Sequence, residues 1–299
     1  MKRKPATSGS TLLLSLWVLV LLSAVILAWA KYIDQEIRVS RETNFGLAAT
    51  AMAHSGAAVA LHPLATMQTA LLQNRFGNRG YRAAITGEGG RLNLNWLLTG
   101  QDARRVSLLK HYLEDRGLSL EQTQALVDSM LDWVGPAGLT HLNGAQETAG
   151  YHPPHRPFVS VDEVQLVANS GPLVALPGWK DDFTLYSLGP VDLTAAPLRI
   201  LRILPGLDPQ RAKIFLHVRQ GPDGIDGTAD DHVFQNMQEI LTVLGLSQAQ
   251  FAAMDGLVAM NDPTIRIRST GWEGKVNREV EIVARKTGER PAIFLWEEL

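Results

Sequence analysis

An uncharged apolar run from Leu12 to Ala30 dominates the N-terminal part of the sequence, and nothing soon after it ends the helix it begins. No proline occurs between Ser10 and His62, and Pro63 is the first stop. At about 1.5 Å per residue, the run is long enough to cross a bilayer core of roughly 30 Å. Beyond Ala30, the residues Tyr32, Ile33, Ile37, Val39, Phe45, Leu47, Met52, Val59 and Leu61 keep helical spacing. Glu36, Arg38, Arg41 and Glu42 lie between them. The pattern predicts one helix of roughly 75 Å through Leu61, its first half in lipid and its second half packed on a globular head. Gly46 and Gly56 soften it by about 1 kcal/mol each relative to alanine.

Lys2, Arg3 and Lys4 precede the run and should stay on the cytoplasmic side, which places the rest of the chain across the inner membrane. Two processing schemes fit these residues. Ala28-Trp29-Ala30 has the small-x-small form of a signal-peptide site, so the segment can be a signal peptide or an uncleaved anchor. A cut between Gly9 and Ser10 would instead remove only the basic leader and keep the whole helix.

Composition narrows the function. The net charge of −2 argues against a general polyanion binder. The absence of cysteine excludes disulfide scaffolds, thiolate metal sites and cysteine nucleophiles. There is no Gly-x-Ser-x-Gly elbow, His-Glu-x-x-His pair or phosphate loop. A signal-anchored periplasmic enzyme would need a site assembled from distant residues.

The middle of the chain reads as helical. Gly87 to Asn95 is a glycine-rich turn leading into a short strand with alternating Leu92 and Leu94. Leu108, Leu109, Tyr112 and Leu113 have helical spacing. A second helix starts at Ser119, with Gln122 in capping-box position and Leu126, Val127, Met130, Leu131 and Trp133 on its apolar face. His152 and His155 flank two prolines, a pattern of surface loops more than of metal sites. Ser160, Asp162 and Glu163 suit the start of a helix better than acid catalysis. Ile200 to Val218, turning at Pro205-Gly206-Leu207-Asp208-Pro209, has the form of a helix-hairpin-helix DNA-binding unit. Asp208 places a negative charge where phosphate binding would want bare amides, so packing is the better reading.

The most chemically specific stretch is Gly221 to Asp231. Asp223, Asp226, Asp230 and Asp231 are interleaved with glycines there. A hard cation with many oxygen ligands would relieve their repulsion, and a flexible acidic loop favours calcium over magnesium. The register is not that of an EF-hand, and a solvated Asp/Gly turn is the alternative. Thr264 to Thr270, Val276 to Arg285 and Pro291 to Trp296 then read as three short strands of an antiparallel meander. Their apolar face needs a partner, and the second half of the N-terminal helix can supply it.

A short basic leader ending in glycine, followed by Gly9-Ser10-Thr11-Leu12-Leu13-Leu14-Ser15-Leu16-Trp17, resembles the start of the K-type minor pseudopilins of type II secretion systems (general secretion pathway protein K). Gly90-Arg91-Leu92-Asn93-Leu94-Asn95, Pro157 to Val167, the hairpin near Gly206 and the closing Phe294 to Glu298 are similar to segments of the same family. The family's acid-rich segment departs here: after Asp132-Trp133, the residues Gly135, Pro136, Ala137 and Gln146 stand in or near the places of its acids, so a cation site there is not expected. Ordinary pilins carry glutamate at the fifth mature position, and here Leu14 stands there.

The resemblance implies an α+β, pilin-like fold: a long N-terminal transmembrane and amphipathic helix, an antiparallel sheet and an inserted α-helical, SAM-like domain. It divides the chain into a leader (1–9), the helix (10–62), a pilin-like head (63–97 and 220–299) and the helical insert (98–219). It implies cleavage at Gly9/Ser10 by a prepilin peptidase, with methylation of the new terminus, and a single-pass inner-membrane anchor with the head in the periplasm. The acidic run resembles calcium loops of pseudopilins, giving a structural calcium. The expected role is priming or capping a secretion pseudopilus at its tip, with other minor pseudopilins as partners and with no catalysis, nucleic acid or small-molecule substrate.

Overall fold

The computed structural model describes residues 8–288 and 290–299; residues 1–7 of the expected leader lie outside them. Helix α1 (Ser8–Leu61) is continuous over 54 residues and is long and apolar enough to cross a membrane. Leu12 to Leu27 stand exposed along its first half. In the second half Ala49, Ala53, Ala57 and Ala60 are fully buried. Their spacing of three and four residues makes one small-residue stripe on a single face of the helix.

That stripe lies on a sheet of five strands in the order β1-β2-β7-β8-β9, antiparallel throughout. β1 (Gln73–Phe76) and β2 (Arg79–Gly87) form a hairpin, with Gly77 at φ 64° in its turn. The smaller elements follow in chain order. They are β3 (Leu92–Asn93), α2 (Leu94–Leu98), α3 (Ala103–Asp115), α4 (Leu120–Val134) and α5 (Gly171–Val174). Next come β4 (Phe183–Thr184), β5 (Val191–Asp192), α6 (Leu198–Leu201), α7 (Pro209–Gln220), α8 (Met237–Leu244), α9 (Gln248–Met254) and β6 (Val258–Ala259). The chain then returns to the sheet as β7 (Thr264–Glu273), β8 (Val276–Arg285) and β9 (Ala292–Glu298). The three C-terminal strands thus form the expected meander, and α1 covers its apolar face. Ile267, Val280, Ile282 and Ala284 meet Ala53, Ala57 and Ala60 in one buried cluster.

The approach of helix to sheet is close because both sides are small. A Cβ on Gly271 would collide with the backbone oxygen of Ala49 and the backbone nitrogen of Ala53, and one on Gly56 would collide with Ser269 and the Tyr81 ring. Glycine at these two positions is therefore a packing requirement.

β2 and β7 are direct neighbours, so everything from residue 88 to 263 is one excursion between paired strands. Its core is separate from that of the sheet. Leu97, Leu109, Tyr112, Leu126, Met130, Phe183 and Phe215 are fully or almost fully buried in it. The core also takes in Leu92 and Leu94 on one side and Phe234, Ile240, Leu244 and Met254 on the other. The excursion therefore runs past both ends of the 98–219 range drawn from sequence. The short strand expected at Leu92 and Leu94 forms only over Leu92–Asn93, as β3. Asn93 accepts the amide of Trp96 and starts α2, so both leucines turn inward. The capping box of Ser119 and Gln122 at the start of α4 forms as expected.

Candidate functional site

The acidic loop begins where α7 ends. Gly221 has φ 65°, and a Cβ there would strike the backbone of Asp230, so glycine lets the far end of the loop return against the helix. The amide of His232 donates to the carbonyl of Arg219 at 2.9 Å and closes the loop. Inside it, Asp223 accepts the Ile225 amide at 2.8 Å. Asp230 accepts the Asp223 amide at 3.1 Å and the Thr228 hydroxyl at 2.7 Å. Asp231 accepts the Gly227 amide at 2.6 Å. The Thr228 hydroxyl and the Asp223 amide hold the Asp230 carboxyl below its ordinary range.

Asp226 turns away from the other three. Both its oxygens take the guanidinium of Arg219, from Nε and Nη2 at 3.1 Å each. Among the described residues, no group of three or more carboxylates or imidazoles is gathered so as to hold a metal ion. A calcium site needs six to eight oxygens at about 2.3–2.6 Å. The four acids divide instead between backbone amides, a hydroxyl and an arginine, so the set, as arranged, does not fit the cation.

A second cluster of charge was not read from the sequence. Glu88, fully buried just after β2, accepts from Arg266 Nε at 2.9 Å, Arg266 Nη2 at 2.7 Å, Arg91 Nη1 at 2.5 Å and Thr184 Oγ1 at 2.5 Å. Burial alone would raise its carboxyl. The Arg266 hydrogen bonds and the charges of Arg91 and Arg266 outweigh it and hold the group below the usual carboxylate range. Arg266 continues to Glu281 at 2.7 Å, which also takes Arg268 at 2.5 Å. This network ties the first residues of the insert to β7 and β8. A companion pair inside the insert joins the Tyr112 hydroxyl to Asp182 at 2.7 Å, and Arg199 donates to the same carboxylate.

The remaining sequence candidates have local jobs. Asp162 pairs with Lys180, and Glu163 accepts from Arg156 and from the Val159 amide. Asp208 caps α7 by accepting the Gln210 amide, which occupies a donor that a phosphate would need. Neither the hidden-enzyme reading nor the DNA-hairpin reading is favoured by these contacts. His155 donates to Gly135 O through Nδ1 (3.0 Å) and to Glu147 through Nε2 (2.8 Å), and His152 lies 3.6 Å from the same carboxylate. The Glu147 contact raises the His155 imidazole above its ordinary value. Asp132, almost fully buried, holds His141 at 2.6 Å.

Gly9 and Ser10 fall in the first turn of α1, and Leu14 lies one turn further on with its side chain exposed. Nothing acidic follows until Asp34, so the apolar half of the helix carries no carboxylate.

Residues 90–175 match the family described as Type II secretion system (T2SS), protein K. The match spans less than a third of the chain. The matched range covers the start of the helical excursion, from Gly90 through α5. The fold extends the likeness to most of the chain. A chain of the crystal structure of the GspK-GspI-GspJ complex from the type 2 secretion system of enterotoxigenic Escherichia coli superposes with a TM-score of 0.61 at 12% identity. The superposition covers 88% of this chain and 99% of that one. No curated protein matches the chain by sequence. The K-type resemblance and the α+β pilin-like fold with its long N-terminal helix and antiparallel sheet are thus both borne out.

Proposed function

We propose that the chain is a minor pseudopilin placed at the tip of a type II secretion pseudopilus, where it primes or caps assembly for protein export. α1 holds it in the inner membrane with the head in the periplasm, and its partners are other minor pseudopilins, in line with the complex in which the similar chain is found. A prepilin peptidase would cut between Gly9 and Ser10.

One observation carries the tip assignment. A subunit inside a pilin-type filament offers the next subunit's terminal amine a carboxylate within lipid, and this helix has Leu14 there and no acid before Asp34. A charge in hydrocarbon is tolerated when paired, so a helix without the acid suits a position that receives no further neighbour. Leu14→Glu adds an unpaired carboxylate costing roughly 2.5–3.5 kcal/mol on insertion scales, and should lower secretion and recovery of the minor-pseudopilin complex. Unchanged secretion and complex yield would refute the tip reading. The mature mass is the companion measurement: a start at Ser10 supports the peptidase cut, and a start at Lys31 refutes it.

A further inference from the structure

The acidic loop carries four carboxylates, and one of them already holds a cation, the guanidinium of Arg219. Arg219 is the penultimate residue of α7 and is 5% exposed. Its guanidinium donates to Leu193 O at 3.1 Å, to Ala196 O at 2.7 Å and to both oxygens of Asp226. Gln220 adds a third contact to Asp226 at 3.0 Å. The same residue closes the loop through its carbonyl, which accepts from His232.

We infer that Arg219 is the resident cation of this loop, and that it does in this chain the work a bound calcium would do. Three physical points support the assignment. The guanidinium is buried and planar, so its bidentate grip on Asp226 fixes orientation as well as charge. It reaches the backbone of the 193–196 turn, so loop, helix end and turn are clamped by one side chain. The other three acids are satisfied within the loop by amides and Thr228, which leaves no convergent set of oxygens. A calcium ion that recruited Asp226 would have to strip Arg219 of its carboxylate. Leaving that guanidinium buried without a counter-charge would weaken binding roughly a hundred-fold or more.

The test is thermal unfolding of the full chain in detergent, with millimolar calcium and with chelator, for the wild type and for Arg219→Gln and Asp226→Asn. The wild type should melt within about 1 °C in the two conditions. Arg219→Gln should melt roughly 4–12 °C lower, because the carbonyls of Leu193 and Ala196 lose their charged donor. Asp226→Asn, whose side chain is half exposed, serves if Arg219→Gln does not fold: it should melt several degrees lower, equally in calcium and in chelator. A wild-type melting temperature that rises by several degrees in calcium, and loses the rise in Asp223→Asn/Asp230→Asn, would overturn the inference. So would an Asp226→Asn variant as stable as the wild type.

Discussion

Replacing Glu88 by glutamine keeps the side chain's shape and removes only its charge. In the structure that charge is fully buried and faces two guanidinium groups, Arg266 and Arg91, and the Thr184 hydroxyl. Removing one partner from a buried ion pair costs about 3–5 kcal/mol, because the other charge is left uncompensated. Arg266 keeps Glu281 at 2.7 Å, and glutamine still offers one acceptor oxygen, so the lower end, about 3 kcal/mol, is the expected loss. At roughly 2–4 °C per kcal/mol, this lowers the melting temperature by about 6–12 °C. The assay is circular dichroism of the full chain in detergent. A second readout comes from pH. The Glu88 carboxyl is held below its unfolded value of 4.5. Its stabilisation is therefore complete above that value and is lost as pH falls through the folded value. Glu88→Gln should lose that part of the acid sensitivity. A variant that melts within about 1 °C of wild type at pH 7, or that shows undiminished acid sensitivity, would refute the proposed role of the network.

Two other perturbations follow from the contacts. Gly271→Ala forces a methyl group against the backbone of α1 at Ala49 and Ala53; it should destabilise the sheet by about 1–3 kcal/mol or more, and a neutral melting temperature would show that the helix sits further off. The raised His155 imidazole gives its contacts with Gly135 and Glu147 full strength below the ordinary value of 6.5 and loses them as pH rises through the folded value. Protease nicking within 136–154 should accordingly be faster at pH 8 than at pH 6 in wild type and similar at both in His155→Ala; equal rates in wild type would refute it.

The parts of the fold that the sequence announces are those built from local pattern. The proline-free run before Pro63, the Ser119–Gln122 box and the alternation of β7 and β8 each encode their element within a few residues. The β1–β2 hairpin is different. Its buried face, Tyr81, Ala83 and Ile85, alternates with Arg82, Ala84 and Thr86, but alanine stands on both faces and blurs the apolar pattern, and the strand is fixed by pairing with β7, far away in sequence. α8 and α9 escaped for a related reason: each is short, and its burial is supplied by the helical core. At the candidate site the acids of the loop are plain, and their counter-ion is not. Arg219 lies on a helix whose pattern gives no hint that it turns inward to Asp226. Glu88 likewise reads as a turn residue until Arg266, 178 positions on, is placed beside it.

Because α1 is one unbroken helix, its exposed apolar part and the part under the sheet share a single screw axis. Each residue added between Ile33 and Gly46 would lift the head by about 1.5 Å and swing it by roughly 100° about that axis. The head's bearing relative to the apolar half of α1 is therefore encoded by residue count. One inserted alanine would turn an entirely different flank of the head over a given face of the apolar half, whereas a four-residue insertion would bring the original flank nearly back, about 6 Å higher. Substitutions along this stretch should therefore leave that bearing unchanged, and single insertions or deletions should not.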